Sequence, residues 1–380
     1  MSPGLLVHLR FTHCNQNTGS LKYMSALDPS QTLVELTMAI CDIESVSSNE
    51  AKLADEIQRV LSTASHLSLT RDGNALIART NLDRETRVII AGHIDTVPVA
   101  NNLPTELHHF EREQVIFGRG TVDMKGGIAV MLKLAVELKN PKFDVTWIFY
   151  DNEEVAADLN GLGRLAKNHP ELLAGEFAVL CEPTSAMVEG GCNGTVRVEV
   201  RSYGIKAHSA RPWMGKNAIH ALVSSLNILN DYQPATVNVD GLDYKESLNA
   251  VLVSGGIATN VIPDEAVLTV NYRFAPDKSA AEAIGYLESL FEGFEVVVTD
   301  RAEGARPGLN LPAAVEFIAA TGTAVRPKYG WTDVARFSAM GIPAVNYGPG
   351  DPSLAHADNE NLPVGHLVDV DSGLRAWLSL

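Results

Sequence analysis

Two imidazoles and a set of carboxylates stand where apolar runs of this sequence end. Val88-Ile89-Ile90-Ala91 leads into Gly92-His93-Ile94-Asp95, Val145 to Tyr150 into Asp151-Asn152-Glu153-Glu154, and Phe177 to Leu180 into Cys181-Glu182-Pro183. Asp123 lies in Gly118-Arg119-Gly120-Thr121-Val122-Asp123-Met124-Lys125-Gly126-Gly127, just before a helical stretch, and His356 lies downstream of the last apolar run, Ile342 to Val345. Carboxylates brought together repel one another unless a cation sits between them. Nitrogen and oxygen donors without thiolate suit Zn²⁺, Co²⁺ or Mn²⁺, and five are more than one open catalytic zinc needs. Two metals about 3.5–4 Å apart, sharing one bridging carboxylate, would use all five. Each element alone has a plainer reading: a structural His–Asp pair, a solvated Glu pair, a turn cap at Glu182, a small buried strand residue at Cys181. Their common position at strand ends favours a site.

The elements that must position these groups follow from periodicity. From Arg87 to Leu180 strand-like runs alternate with helical spacing at Gly127 to Leu138 and Gly161 to Asn168, which predicts an α/β fold with a mainly parallel sheet covered on both faces. The carboxyl ends of parallel strands share one edge, where ligand sites form. After Gly191 the pattern changes. Thr195 to Ser202, Leu248 to Gly255, Ala266 to Phe274 and Phe294 to Thr299 read as strands; Asn217 to Leu229 and Ser279 to Phe291 read as helices, the second opened by a Ser279–Glu282 capping box. This β-α-β-β-α-β order is that of a ferredoxin-like α+β unit. The larger domain is therefore discontinuous, 24–190 and 304–380, with 191–303 inserted. Asp28, Pro29 and Gln31 read as a helix start, and residues 1–23 as a disordered, dispensable extension.

The chain has 380 residues, enough for two domains, and its 46% apolar and 20% charged composition is that of a globular protein. Lys plus Arg total 30 against 46 Asp plus Glu, a formal charge of −16. That field argues against nucleic-acid or anionic-membrane partners, and an anionic substrate would need local cations. Apolar runs fall short of a bilayer span. Four separated cysteines, Cys14, Cys41, Cys181 and Cys192, read as free thiols of a cytoplasmic protein. A dinucleotide site at Gly118-x-Gly120 lacks the third glycine, and Asp123 would repel phosphate.

The five motifs around His93, Asp123, Glu153-Glu154, Glu182 and His356, in this order over residues 28 to 380, resemble the dinuclear zinc aminoacylase and carboxypeptidase family. The resemblance implies that Asp123 bridges two divalent metals, Zn²⁺ first with Co²⁺ or Mn²⁺ as alternatives. His93 and Glu182 complete one position and Glu154 and His356 the other. It makes Glu153 the general base and then acid, and Asp95 the partner of the far nitrogen of His93. It also implies a cis peptide at Asp123-Met124. His208, in Lys206-Ala207-His208-Ser209-Ala210-Arg211-Pro212, resembles a residue that reaches across a homodimer, formed through the inserted lid domain, to stabilise an oxyanion.

The implied reaction is amide hydrolysis of a small anionic substrate. Gly330-Trp331-Thr332-Asp333-Val334-Ala335-Arg336-Phe337 and Asn346-Tyr347-Gly348-Pro349-Gly350-Asp351-Pro352 narrow it to N-succinyl-LL-2,6-diaminopimelate; acetylornithine, other N-acyl amino acids and dipeptides are the alternatives. Arg336, Arg273 and Arg211, with Thr332 and Asn260, are the expected substrate contacts, since a guanidinium matches a carboxylate bidentately. The sequence departs from the resemblance at Cys192-Asn193, where arginine is expected, and at Arg211, where an aromatic is. A catalytically dead scaffold is the competing class of function, and the intact Glu153-Glu154 pair argues against it.

Overall fold

The computed structural model describes residues 26–110 and 113–380. The run around Val88 forms strand Arg87–His93. It lies parallel to Asp144–Tyr150 on one side and to Phe177–Leu180 on the other, and Ala344–Asn346 continues the parallel set. Alternate residues face two apolar clusters. Val88, Ile90, Val145, Trp147 and Val179 pack under helices Leu33–Cys41, Ala51–Leu61, Gly126–Glu137 and Val364–Leu378. Ile89, Ala91, Ile148, Ala178 and Leu180 pack under Gly161–Asn168 and Val334–Ala339. Burial on both faces is why these strands are apolar without alternation. Antiparallel strands Ala75–Arg79 and Ser68–Asp72 extend one side of this eight-stranded sheet, and Val188–Gly190 and Val325–Pro327 the other.

Between Val188–Gly190 and Val325–Pro327 the chain builds a second, four-stranded antiparallel sheet in the order Ser247–Gly255, Glu265–Phe274, Gly194–Tyr203, Glu295–Ala302. Numbered by sequence this is 2-3-1-4, the ferredoxin-like order. It has its own core of Val196, Val198, Val200, Leu268, Val270 and Phe274 against Leu287 and Phe291. Helix Ala280–Leu290 begins with the Ser279–Glu282 capping box. The other predicted helix is split at Leu222 into Ala218–Ala221 and Val223–Asp231, with Asn217 as cap.

One local reading changes, and two small elements went unread. The first helix starts at Leu33, capped by Thr32 with Glu35 completing the box. Asp28 instead accepts from the N–H of Ser30 in a preceding turn, because Thr32 and Glu35 satisfy the helix's free donors. A hairpin, Thr236–Val239 with Leu242–Lys245, turns at Asp240-Gly241, both at positive φ. Asp-Gly between short alternating strands is its sequence signal. A three-stranded sheet, Glu106–His109, Gln114–Phe117 and Asn361–Pro363, is the second unread element. The readings of residues 1–23 and of Cys14 lie outside the described residues; Cys41, Cys181 and Cys192 are free and buried. Among the described residues no helix is long and apolar enough to cross a membrane.

Candidate metal centre and active site

The parallel strands deliver their terminal residues to one edge. His93 ends Arg87–His93, Glu153 and Glu154 follow Asp144–Tyr150, and Glu182 follows Phe177–Leu180. Asp123 arrives from a tight turn, Thr121–Lys125, entered through Gly120 in the left-handed region and containing a cis Asp123-Met124 peptide. Glu360 holds this turn: its buried carboxylate accepts the N–H groups of Val122 and Asp123 and pairs with Arg119 at 2.8 Å. Two close approaches seat Glu182. A Cβ on Gly127 would strike the carbonyl oxygen of Cys181, and one on Gly348 the carbonyls of Cys181 and Glu182.

Asp123 stands between two imidazoles. One of its oxygens lies 3.1 Å from Nε2 of His93, and the other lies 3.3 Å from Nε2 of His356. Glu182 is 4.0 Å from the same His93 nitrogen, and Glu154 is 2.9 Å from that of His356. His93–Asp123–Glu182 and Asp123–Glu154–His356 each offer donor atoms within 4.8 Å of one another, with Asp123 common to both. His93, Glu153 and Glu154 form a third such group.

Asp95 is a second organiser. Nδ1 of His93 lies 3.1 Å from its carbonyl oxygen and 3.4 Å from its carboxylate. That carboxylate also accepts the N–H groups of Glu153 and Glu154, at 3.0 and 3.1 Å, and the Ser47 hydroxyl at 2.7 Å. Sequence reasoning found the His93 neighbour but missed the clamp on the Glu153-Glu154 backbone, which only the tertiary fold brings near.

The electrostatics call for positive charge. Burial disfavours a charged His93, yet Asp123 and Asp95 outweigh it and hold its pKa well above the ordinary imidazole value. Asp123 and Glu154 raise His356 to about 10. Burial, then Asp123, push Glu182 up to about 7 despite His93 and Lys328. Burial also raises Glu153, with Asp333, Glu182 and Glu154 adding to it against His93. With protein groups alone the carboxylates draw protons onto their neighbours. Divalent cations meet the same demand, and the oxygen and nitrogen donor set fits them.

The expected substrate contacts divide into three places. Arg273 and Arg336 line a cavity of about 910 Å³ that also touches Glu153. Thr332 lines an adjoining cavity of about 750 Å³ with the carboxylate cluster and donates to Asn346 at 3.0 Å. His208, Arg211 and Asn260 are exposed on the inserted unit. There His208 pairs with Val261 across two short strands, and Ser209 donates its N–H to the Asn260 carbonyl. Within one chain these three do not line either cavity. Cys192 is buried, with its sulfur 3.8 Å from the Thr332 carbonyl. Sequence reasoning also missed Lys328, buried 3.0 Å from Glu189 and facing the cluster cavity.

Residues 89–380 match peptidase family M20/M25/M40, and the chain belongs to that family of metal-dependent hydrolases. It is 50% identical to a Mycobacterium tuberculosis protein named "Putative succinyl-diaminopimelate desuccinylase DapE", over 91% of this chain and 97% of that one. It is 45% identical to the succinyl-diaminopimelate desuccinylase of Corynebacterium glutamicum, over 91% and 96%. Among solved structures, a Staphylococcus aureus tripeptidase superposes with a TM-score of 0.76 at 20% identity, covering 93% of this chain and 98% of that one. A dinuclear metal-binding peptidase of Bacillus subtilis superposes at 0.66 with 18% identity, covering 91% and 96%.

Proposed function

We propose that this chain hydrolyses the amide of N-succinyl-LL-2,6-diaminopimelate to succinate and LL-2,6-diaminopimelate, a cytoplasmic step toward lysine. The observation that carries amide hydrolysis is the position of Asp123, with one oxygen at each of two imidazole–carboxylate sets. The names of the relatives at 45–50% identity supply the acyl group.

Two divalent metals, Zn²⁺ first and Co²⁺ or Mn²⁺ as alternatives, would be held by His93, Asp123 and Glu182 and by Asp123, Glu154 and His356, and would supply Lewis acidity toward the amide carbonyl and water. Glu153 completes neither set and borders both cavities. It takes the proton of the attacking water and delivers it to the leaving amine nitrogen. Asp95 fixes the His93 ring and the backbone that carries Glu153. Arg273, Arg336 and Thr332 bind substrate carboxylates from the same chain. His208, Arg211 and Asn260 act from the partner of a homodimer formed through the inserted domain; the exposed Val251, Leu252 and Val253 on its edge strand support that contact.

The test is a steady-state assay with added Zn²⁺, comparing the succinyl substrate with acetylornithine. Preference for the succinyl substrate is expected, and preference for the acetyl one would overturn the assignment. Glu153→Gln should keep about two metals per chain by elemental analysis and lose about 10²- to 10⁴-fold in turnover; turnover near that of the unaltered enzyme would remove Glu153 from this role.

A further inference from the structure

The Glu182 carboxylate lies 4.0 Å from the His93 imidazole, whereas Asp123 lies 3.1 Å from that ring and Glu154 2.9 Å from His356. Its placement therefore comes from the backbone. The next residue is Pro183, which has no N–H, so the chain leaving Glu182 can be anchored there only through a carbonyl. The ammonium of Lys328 donates to that carbonyl at 3.2 Å. One residue further, a guanidinium nitrogen of Arg326 donates to the Thr184 carbonyl at 3.0 Å. Both cations meet at one buried carboxylate. One oxygen of Glu189 lies 2.7 Å from Nε of Arg326, and the other lies 3.0 Å from Nζ of Lys328. The parallel pairing of Val188–Gly190 with Val325–Pro327 sets Arg326 opposite Glu189, and the two-residue period of a strand carries Lys328 to the same face. Glu189 and Lys328 are 4% and 9% exposed, so water screens neither charge well. Burial and then Asp123 disfavour the charge on Glu182, and Lys328 follows His93 among the cations that offset them.

We propose that Lys328 is a positioning residue for the metal centre: paired with Glu189 beside Arg326, it holds the Glu182-Pro183-Thr184 backbone so that Glu182 completes the position of His93 and Asp123. The assignment rests on the reading of those three residues as one metal position. Lys328 is not itself a ligand and acts through the Pro183 carbonyl. Its effect is confined to that position, because Glu154 and His356 are carried by other segments. Glu154 follows Asp144–Tyr150 on a backbone that Asp95 holds, and His356 lies beyond Ala344–Asn346. Residues that orient metal ligands change metal affinity about 10- to 100-fold.

Lys328→Met is titrated with Zn²⁺ in three backgrounds: the unaltered chain, Glu154→Gln, which leaves the His93–Asp123–Glu182 set, and Glu182→Gln, which leaves the Asp123–Glu154–His356 set. In the first two, Lys328→Met should weaken one Zn²⁺ by about 10- to 100-fold, and the other ion of the unaltered chain should bind as before. In the Glu182→Gln background it should leave the affinity unchanged, since the residue through which it acts is already gone. Lys328→Arg, which keeps the charge, should recover part of the loss, and Glu189→Gln should reproduce it. In the hydrolysis of the succinyl substrate at limiting Zn²⁺, kcat should fall while KM holds. Equal weakening in the Glu154→Gln and Glu182→Gln backgrounds, or a lower urea midpoint with both affinities kept, would make the trio a general brace and overturn the inference. A raised KM with both affinities kept would make Lys328 a substrate cation and overturn it too. If the unaltered chain binds Zn²⁺ but leaves the succinyl substrate intact, the proposed reaction fails while the titration still decides the role of Lys328. Failure of the unaltered chain to bind Zn²⁺ would overturn both.

Discussion

Asp95 shows how much one side chain carries in this site. Its two oxygens meet the backbone N–H groups of Glu153 and Glu154 and the Ser47 hydroxyl, while its carbonyl faces the His93 ring. In Asp95→Asn an amide NH₂ must face one of the N–H groups that the carboxylate now accepts. Turnover or metal affinity should fall about 10- to 100-fold, as when residues that orient metal ligands are altered, and kcat together with metal content per chain measures it. An unchanged pair of values would mean that the Glu153-Glu154 backbone holds its place without Asp95. His93, Glu153, Glu154 and Glu182 were legible because each follows an apolar run with an imidazole or a carboxylate, whereas Asp123 and His356 end no such run and were picked out with the help of the family resemblance. Lys328 was not legible: it stands in a short strand-end segment, and nothing in the sequence says that Glu189 and the carboxylate cavity lie beside it. Glu360 was hidden for a related reason, since its partners, Arg119 and the Asp123 turn, are remote in sequence.

At the scale of elements, the site depends on how closely the helix Gly126–Glu137 approaches the turn after Phe177–Leu180. Gly127 faces the carbonyl of Cys181 with no room for a Cβ. Gly127→Ala should lower stability by about 1–3 kcal/mol through overpacking and weaken metal binding by displacing Glu182; urea unfolding and metal titration read the two effects separately. The buried strand start at Asp144 predicts a pH effect. Burial alone would raise its pKa, but the N–H of Leu82, the Thr80 hydroxyl, the N–H of Arg84 and the charge of Arg87 outweigh it and hold it below the ordinary carboxyl value. A group depressed on folding contributes stability in full above its unfolded pKa of about 3.9 and loses it as pH falls below that. Asp144→Asn should therefore be less stable near neutrality and show a shallower loss of stability between about pH 4 and 2. Equal acid limbs in the two proteins would contradict this. The parallel strands and the 2-3-1-4 sheet were readable because burial on two faces and on one face leave different periodicities. The Glu106–His109 and Gln114–Phe117 pair escaped because each strand has four residues, the first mostly exposed and the second with two adjacent buried positions, too short for either periodicity.

For the whole molecule, the inserted unit decides whether one chain suffices. His208, Arg211 and Asn260 lie on it, outside both cavities of their own chain, while Leu252 on its edge strand is 69% exposed. Mixing His208→Ala chains with Glu153→Gln chains should restore part of the activity, because one active site of each heterodimer then has an intact Glu153 and an intact partner His208. Confirmed heterodimers with no recovery would count against action across the interface. The order of residues around Asp123 has a consequence for synthesis. His93, Asp123, Glu153, Glu154 and Glu182 precede the inserted unit, and His356 follows it. A growing chain paused anywhere between these points carries a crowd of acids with His93 as the only imidazole of the set. Domains form as they emerge from the ribosome, so the inserted unit has the opportunity to fold before the centre can be completed. With His356 as the proposed last ligand, the centre could close only after the inserted unit has been made.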